Sequence, residues 1–141
     1  MQILKCNINH LELIYELENS MFPLDIRETK SNLIADIENG YYYGLFEDND
    51  LLGYFCVYEN EGLYLNNIII KSEYQGNGYS KFLILYIKNL RKENNIDRVW
   101  LHVFVQNDTA IGLYNKCGFK IKEVVKDFYA LDEDALMMEF R

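Results

Sequence analysis

One proline in 141 residues is the scarcest structural signal in this chain. Half of the residues are hydrophobic, so an extended or disordered chain is excluded. No apolar run approaches the length of a membrane span. The N-terminus lacks the basic region, apolar core and small-residue cleavage site of a signal peptide. The three cysteines, Cys6, Cys56 and Cys117, are an odd number with no metal-ligand spacing. They read as reduced thiols of a cytoplasmic protein, with no metal site. Cys117 reads as a helix-packing residue and not as a nucleophile. Repeats, linkers and low-complexity segments are missing as well, which leaves one domain over residues 1–141 with enough chain for a core.

Positive charge is scarce in one half only. The net charge is −8; residues 1–62 carry −9 and residues 63–141 carry +1. The acidic half should repel nucleic acid and attract cations, or else simply solubilise two surface helices.

The chain reads as a mixed α/β domain. Strands are expected at Gln2–Ile8, Tyr41–Glu47, Leu51–Tyr58, Leu63–Ile70, Val99–Val105, Phe119–Phe128 and Ala135–Phe140. The second and third form a hairpin across Asp48, Asn49 and Asp50. Asn9 is the expected cap of a first helix that runs to Met21 with Leu11, Ile14, Leu17 and Met21 in an apolar stripe. Pro23 breaks the chain, and a second helix covers Glu28–Glu38. A third helix, Gly78–Glu93, should bury Phe82, Leu83, Tyr86, Ile87 and Leu90. A fourth runs from Asp108 to Lys116 and stops at Gly118. Val99–Val105 is apolar on both faces and reads as a central strand covered on both sides.

Two segments carry chemistry. In YQGNGYSKFLI, Tyr74–Ile84, a strand passes through Gly76 and Gly78 into a helix. Glycine permits close approach of a ligand, and a helix start offers orphan N–H donors and partial positive charge, so the turn suits a phosphate. It is neither a P-loop, which needs Lys and Ser or Thr after its last glycine, nor a dinucleotide fingerprint, which needs glycine where Lys81 stands. In the second segment, LHVFVQNDTAIGLYNKCGF, Leu101–Phe119, Asn107 and Tyr114 are seven apart, about two helical turns along one side.

Together the two segments resemble the GNAT N-acetyltransferase superfamily over almost the whole chain. Gln75, Gly78 and Ser80 match its Gln/Arg-x-x-Gly-x-Gly/Ala signature, with Ser80 a small departure. Asn107, Leu113, Tyr114, Lys116, Gly118 and Phe119 match its second signature. The LHV triplet around His102, Tyr64 on the preceding strand and KDFYALDEDALMM, Lys126–Met138, resemble the protein N-terminal acetyltransferases, including the ribosomal-protein alanine type.

The resemblance implies a splayed, mostly antiparallel sheet flanked by about four helices, with acetyl-CoA as co-substrate. Main-chain groups of Ile68, Ile69 and Ile70 would pair with its pantetheine arm. N–H groups of Gln75, Gly76, Asn77, Gly78, Tyr79, Ser80 and Lys81 would hold its pyrophosphate, and Asn107 and Tyr114 would also bind the cofactor. Tyr114 would protonate the leaving thiolate. His102 and Tyr64 would hold a water that relays the proton from the attacking amine. Tyr129 would sit in a loop that holds a peptide N-terminus. The expected partner is an amine-bearing acceptor, a peptide N-terminus or a small amine, with no nucleic acid and no membrane, and the expected state is a monomer or homodimer. A small-molecule amine acetyltransferase and a non-catalytic acyl-CoA sensor are the other readings; a sensor needs neither Tyr114 nor His102.

Overall fold

The computed structural model describes residues 1–22 and 29–141. Its strands are β1 (Gln2–Lys5), β2 (Tyr42–Glu47), β3 (Asp50–Glu59), β4 (Leu63–Ile70), β5 (Val99–Phe104), β6 (Lys120–Ala130) and β7 (Glu133–Phe140). Its helices are α1 (Leu11–Met21), α2 (Lys30–Glu38), α3 (Tyr79–Glu93) and α4 (Asp108–Lys116). The strand order is β1-β2-β3-β4-β5-β7-β6. The pairs β1–β2, β2–β3, β5–β7 and β6–β7 are antiparallel and β4–β5 is parallel. This is the mixed, mostly antiparallel sheet with four helices that the resemblance implies. No helix among the described residues is long and apolar enough to cross a membrane.

Contacts divide the described residues into two compact units, Met1–Val57 with Asn67–Leu83, and Tyr58–Asn66 with Ile84–Arg141. In the first, Ile14 and Leu17 of α1 pack with Leu33 and Ile37 of α2 against Tyr42 and Tyr54 of the hairpin. Burying a side chain of this kind contributes roughly 1.5–3 kcal/mol. Glu18 shares that buried face, and the Tyr54 hydroxyl donates to its carboxylate. Burial above all, then the Glu18 charge, pushes the Tyr54 pKa up, so this phenol stays a donor.

Several boundaries differ from expectation. β1 ends at Lys5 because Asn7 caps a 3-10 turn at Ile8–His10: its side chain accepts from the Asn9 N–H, and His10 Nδ1 accepts from the Asn7 N–H. Asn9 therefore caps nothing, and α1 starts at Leu11. Thr29 caps α2 by accepting from the Asn32 N–H, so the helix starts at Lys30; the expected break at Pro23 and start at Glu28 lie outside the described residues. Asp48, with φ 56°, takes the left-handed place in the hairpin turn, and Asp50 already belongs to β3. On α3 the buried residues are Leu83, Ile84 and Ile87, while Phe82 is 46% exposed; the face is rotated by about one residue from the expected one.

In the second unit, β5 alternates. Val99, Leu101 and Val103 are buried, whereas Trp100, His102 and Phe104 are half-buried. The strand is thus fully covered on one face only, and the other face is aromatic. On β7, Glu139 is 6% exposed and meets Arg98 at 2.9 Å, Arg141 at 3.1 Å and Lys122 at 3.6 Å. The hydrogen bond from Arg98, then those partners, hold its carboxyl below the ordinary value of 4.5. A depressed carboxyl adds stability that is complete above the unfolded-state value and disappears as pH falls through the folded-state value. Glu139→Gln should therefore cost about 1–3 kcal/mol at neutral pH in urea unfolding. The gap from wild type should narrow as pH drops below 4.5; a gap that does not change with pH would contradict this role.

Candidate active site

The second unit brings His102 and Tyr64 together. β4 and β5 pair only at Leu63↔Val99 and Tyr64↔Trp100, which puts Tyr64 one pleat from His102 on the same face. The Tyr64 hydroxyl lies 2.8 Å from His102 Nδ1. That is a direct hydrogen bond between the two side chains, where a bridging water was expected.

Aromatic rings surround the pair. Trp100 meets Tyr64 edge-on at 4.6 Å between centroids and His102 at 5.5 Å. Tyr58 lies 5.5 Å from Tyr64. Phe128 stacks on the imidazole at 4.0 Å, with 18° between the planes. The Trp100 indole N–H donates to the Asn60 carbonyl at 2.8 Å, which fixes its rotamer. Burial lowers the His102 pKa, against an opposing pull from the Glu123 charge, so the imidazole is neutral at pH 7 and able to accept a proton. Burial, then Tyr58 and Tyr129, pushes Tyr64 up to about 12, so its phenol keeps its proton.

Tyr114 comes from α4. Asn107 caps this helix by accepting from the Ala110 N–H at 3.2 Å, and the chain leaves through Gly118 at φ 90°. The cap uses one lone pair of the Asn107 side-chain oxygen, and among the described residues no other bond engages its amide N–H groups. Tyr114 is 7% exposed and packs on Phe119. Burial, then Tyr129 and Cys117, raises its pKa. Tyr129 is thus an electrostatic neighbour of both Tyr64 and Tyr114. It lies inside β6, not in a loop as expected, and its own pKa is raised by burial.

The glycine turn is in the first unit. A 3-10 turn at Ser72–Tyr74, absent from the sequence reading, carries the chain out of β4. The Gln75 amide donates to the Ile70 carbonyl at 2.9 Å and the Asn77 amide to the Tyr74 carbonyl at 3.0 Å. Gln75 is therefore a brace, and the Ile70 carbonyl, expected to pair with a ligand, already has a donor. Gly76 and Gly78 have φ of 82° and 81°, which favours glycine, and a Cβ at either would meet nothing within 4 Å. The Phe82 N–H bonds the Gly78 carbonyl at 3.2 Å. The N–H groups of Tyr79, Ser80 and Lys81 thus precede the helical ladder, as the orphan donors of a helix start do. Such a helix start fits an anionic group.

A separate surface cleft of about 500 Å3 lies at Glu61, Asn95, Asp97, Arg98 and Arg141 and holds none of the candidate residues. Its two guanidinium groups are engaged by Glu139, so it offers little free charge. Sequence reasoning missed Phe128 and Trp100 as site residues. Alternation along β5 does point to Trp100, but Phe128 is brought in by an irregularity of β6 that no periodicity signals.

The acetyltransferase (GNAT) family model matches residues 11–119. A putative [ribosomal protein bS18]-alanine N-acetyltransferase of Bacillus subtilis is 32% identical over 93% of this chain and 89% of its own length. The ribosomal-protein-S18-alanine N-acetyltransferase from Escherichia coli superposes with a TM-score of 0.85 at 20% identity, over 99% of this chain and 92% of that one. Arabidopsis thaliana Naa50 in complex with the bisubstrate analogue CoA-Ac-MVNAL superposes with a TM-score of 0.84 at 19% identity, over 99% and 97%. The two superpositions carry the fold, and the family match and the Bacillus relative carry the descent: this chain belongs to the GNAT acetyltransferase family and is an acetyl-CoA-dependent N-acetyltransferase.

Proposed function

We propose that the chain acetylates the α-amine of a protein or peptide N-terminus, with His102 as base, Tyr64 as its partner and Tyr114 as acid. The observation that carries this reading is the Tyr64–His102 bond on an aromatic face shared with Tyr129. An N-terminal ammonium must lose a proton before it attacks. In one tautomer of His102, Nδ1–H donates to the Tyr64 oxygen and Nε2 takes that proton. In the other, the Tyr64 O–H donates to Nδ1, and the phenol passes its proton to the ring while accepting one from the amine. Both routes end in an imidazolium whose Nδ1–H donates to the phenol oxygen. The amine nitrogen then bonds the thioester carbonyl carbon and the C–S bond breaks. Tyr114, protonated because it is buried, supplies a proton to the sulfur. Its phenolate regains one from the acylated nitrogen, which leaves as a neutral amide, and the imidazolium returns its proton to solvent. Neutral Tyr64 and Tyr129 hydroxyls suit the backbone amides of an extended peptide. The three cysteines are free thiols, in keeping with a cytoplasmic enzyme.

The glycine turn takes the pyrophosphate of acetyl-CoA in this reading. Gly78→Val places a branched side chain on a left-handed backbone and in the ligand's space. Calorimetry should show acetyl-CoA affinity reduced at least about 10-fold, with other parts of the chain still folded. Full affinity in a folded variant would place the cofactor elsewhere.

Tyr114→Phe keeps the ring packed on Phe119 and removes the proton. We expect kcat lower by about 10²-fold with acetyl-CoA binding nearly kept. Normal turnover with lowered stability would make the phenol structural.

The acceptor is tested with acetyl-CoA turnover on peptides with free N-termini, including one beginning with alanine, against spermidine and lysine. Peptides should be preferred by about 10-fold or more in kcat/KM; spermidine as the better substrate would overturn the peptide assignment. Because burial lowers the His102 pKa, kcat/KM should rise with pH through a limb below 6.5. His102→Ala should abolish that limb, and an unchanged limb would remove His102 as the base.

A further inference from the structure

The β6–β7 ladder is irregular in two places, between Ile121 and Glu123 and, more widely, between Val125 and Ala130. Val125 pairs with Ala135 and Ala130 with Glu133, so residues 126–129 of β6 stand against the single residue Asp134 of β7. Asp127 takes φ 54° there, a left-handed conformation that a non-glycine residue adopts at some cost. Two side-chain bonds hold this bulge. The Asp127 N–H donates to the Asp134 carboxylate at 2.9 Å, and the Asp132 N–H donates to the Asp127 carboxylate at 2.7 Å. The Asp134 carbonyl in turn accepts from the Val105 N–H at 3.1 Å, which ties the bulge to the end of β5.

In a regular strand, neighbouring side chains point to opposite faces. Phe128 and Tyr129 do not. Phe128 stacks on His102 at 4.0 Å and Tyr129 meets Phe104 edge-on at 6.1 Å, and His102 and Phe104 lie two apart on one face of β5. The bulge therefore turns two consecutive aromatic rings onto one face, the re-aiming that bulges beside active sites perform. Phe128 remains 41% exposed, so its own burial is too incomplete to explain why the strand is bent to bring it there.

We infer that Phe128 is a positioning residue for His102, carried onto the imidazole face by an Asp127–Asp134 bulge, and that it sets the ring's orientation and keeps water from one of its faces. This rests on the assignment of His102 as the base. A ring 4.0 Å away and nearly parallel removes water from one face of the imidazole and fixes χ2, so that Nδ1 meets the Tyr64 oxygen and the Nε2 edge is left for the acceptor. The titratable groups facing His102 are Tyr64 from β4, which hydrogen-bonds it, and Glu123 from β6, which favours its charged form. Its register partner on β7, Met137, is uncharged. Losing Phe128 rehydrates the ring and leaves Glu123 unopposed, so the His102 pKa rises; the imidazole then holds its proton at a pH where it should accept one.

The chain has only two histidines, which makes the test direct. His10 packs against Phe46 in the other unit and serves as an internal control. The imidazole C–H resonances of the full-length protein are followed by NMR against pH, with His102→Ala giving the assignment. In wild type the His102 signals should be shifted upfield by the stacked ring and titrate below 6.5. In Phe128→Ala they should move downfield and titrate at higher pH, with His10 unchanged, while Phe128→Tyr should restore both. Asp134→Ala should move the His102 signals in the same direction, and Asp134→Asn, which keeps an acceptor oxygen, should move them less. In kinetics, Phe128→Ala should raise the acid limb of kcat/KM in step with the NMR shift and lower kcat at pH 7 by about 10-fold. Acetyl-CoA affinity should be unchanged. An unchanged His102 titration and ring shift in a folded Phe128→Ala overturns the inference. Should His102→Ala itself keep the acid limb, the base assignment falls instead, and the NMR comparison still decides whether Phe128 positions the ring.

Discussion

Two parallel residue pairs, Leu63↔Val99 and Tyr64↔Trp100, set the geometry on which the candidate chemistry depends. They fix the register of β4 against β5, and register decides which side chains share a face. With Tyr64 opposite Trp100, His102 falls one pleat further on the same side, close enough for a 2.8 Å bond between phenol and imidazole. A one-residue slip would turn Tyr64 to the other face of the sheet and replace it with a neighbour that carries no phenol. The register is held from outside as well. Arg98, next to Val99, donates to the Glu61 carbonyl at 2.8 Å and to Glu139 at 2.9 Å, and Trp100 donates to the Asn60 carbonyl. The turn before β4, the start of β5 and the end of β7 are therefore pinned by one short run of residues.

Burial then sorts the titratable groups into acids and bases. Desolvation disfavours whichever form is charged, so it raises phenols and lowers an imidazole. Tyr64 and Tyr114 are held protonated and His102 is held neutral, all by the same physical cause. Groups whose environments push their pKa values apart are the ones suited to give and take protons at one pH. No strong ion pair is needed for this. The Glu123 charge works against the shift, and burial outweighs it.

The sequence was legible where local rules suffice. β4 and α4 fall at the expected residues, because alternating or continuous apolar runs and a cap-to-glycine helix are short-range signals. The Asn9 cap failed because Asn7, two residues earlier, made the tighter 3-10 turn with His10. On α3, Phe82 and Ile84 exchange roles, since periodicity alone leaves the phase of a helix uncertain by one residue and tertiary packing decides it. The apolar composition of Val99–Val105 suggested cover on both sides, but Trp, His and Phe at alternate places also describe a half-open aromatic face. The placement of Tyr129 in a loop had the right neighbourhood and the wrong geometry. A bulge held by two aspartates depends on pairing with β7, and nothing in residues 126–129 alone announces it.

The two halves of the candidate chemistry differ in what builds them. The glycine turn presents backbone N–H groups, so its requirement is conformational: two positive φ values and a helix start. Side-chain identity matters little there, beyond the absence of a Cβ and the brace from Gln75, and a short motif captures it. The face around His102 is made of side chains from β4, β5 and β6, each placed by a different long-range pairing. Substitutions on that face can alter which amine is accepted while leaving the anion site untouched, because the groups that would recognise the acceptor and those that would hold the phosphate share no side chain.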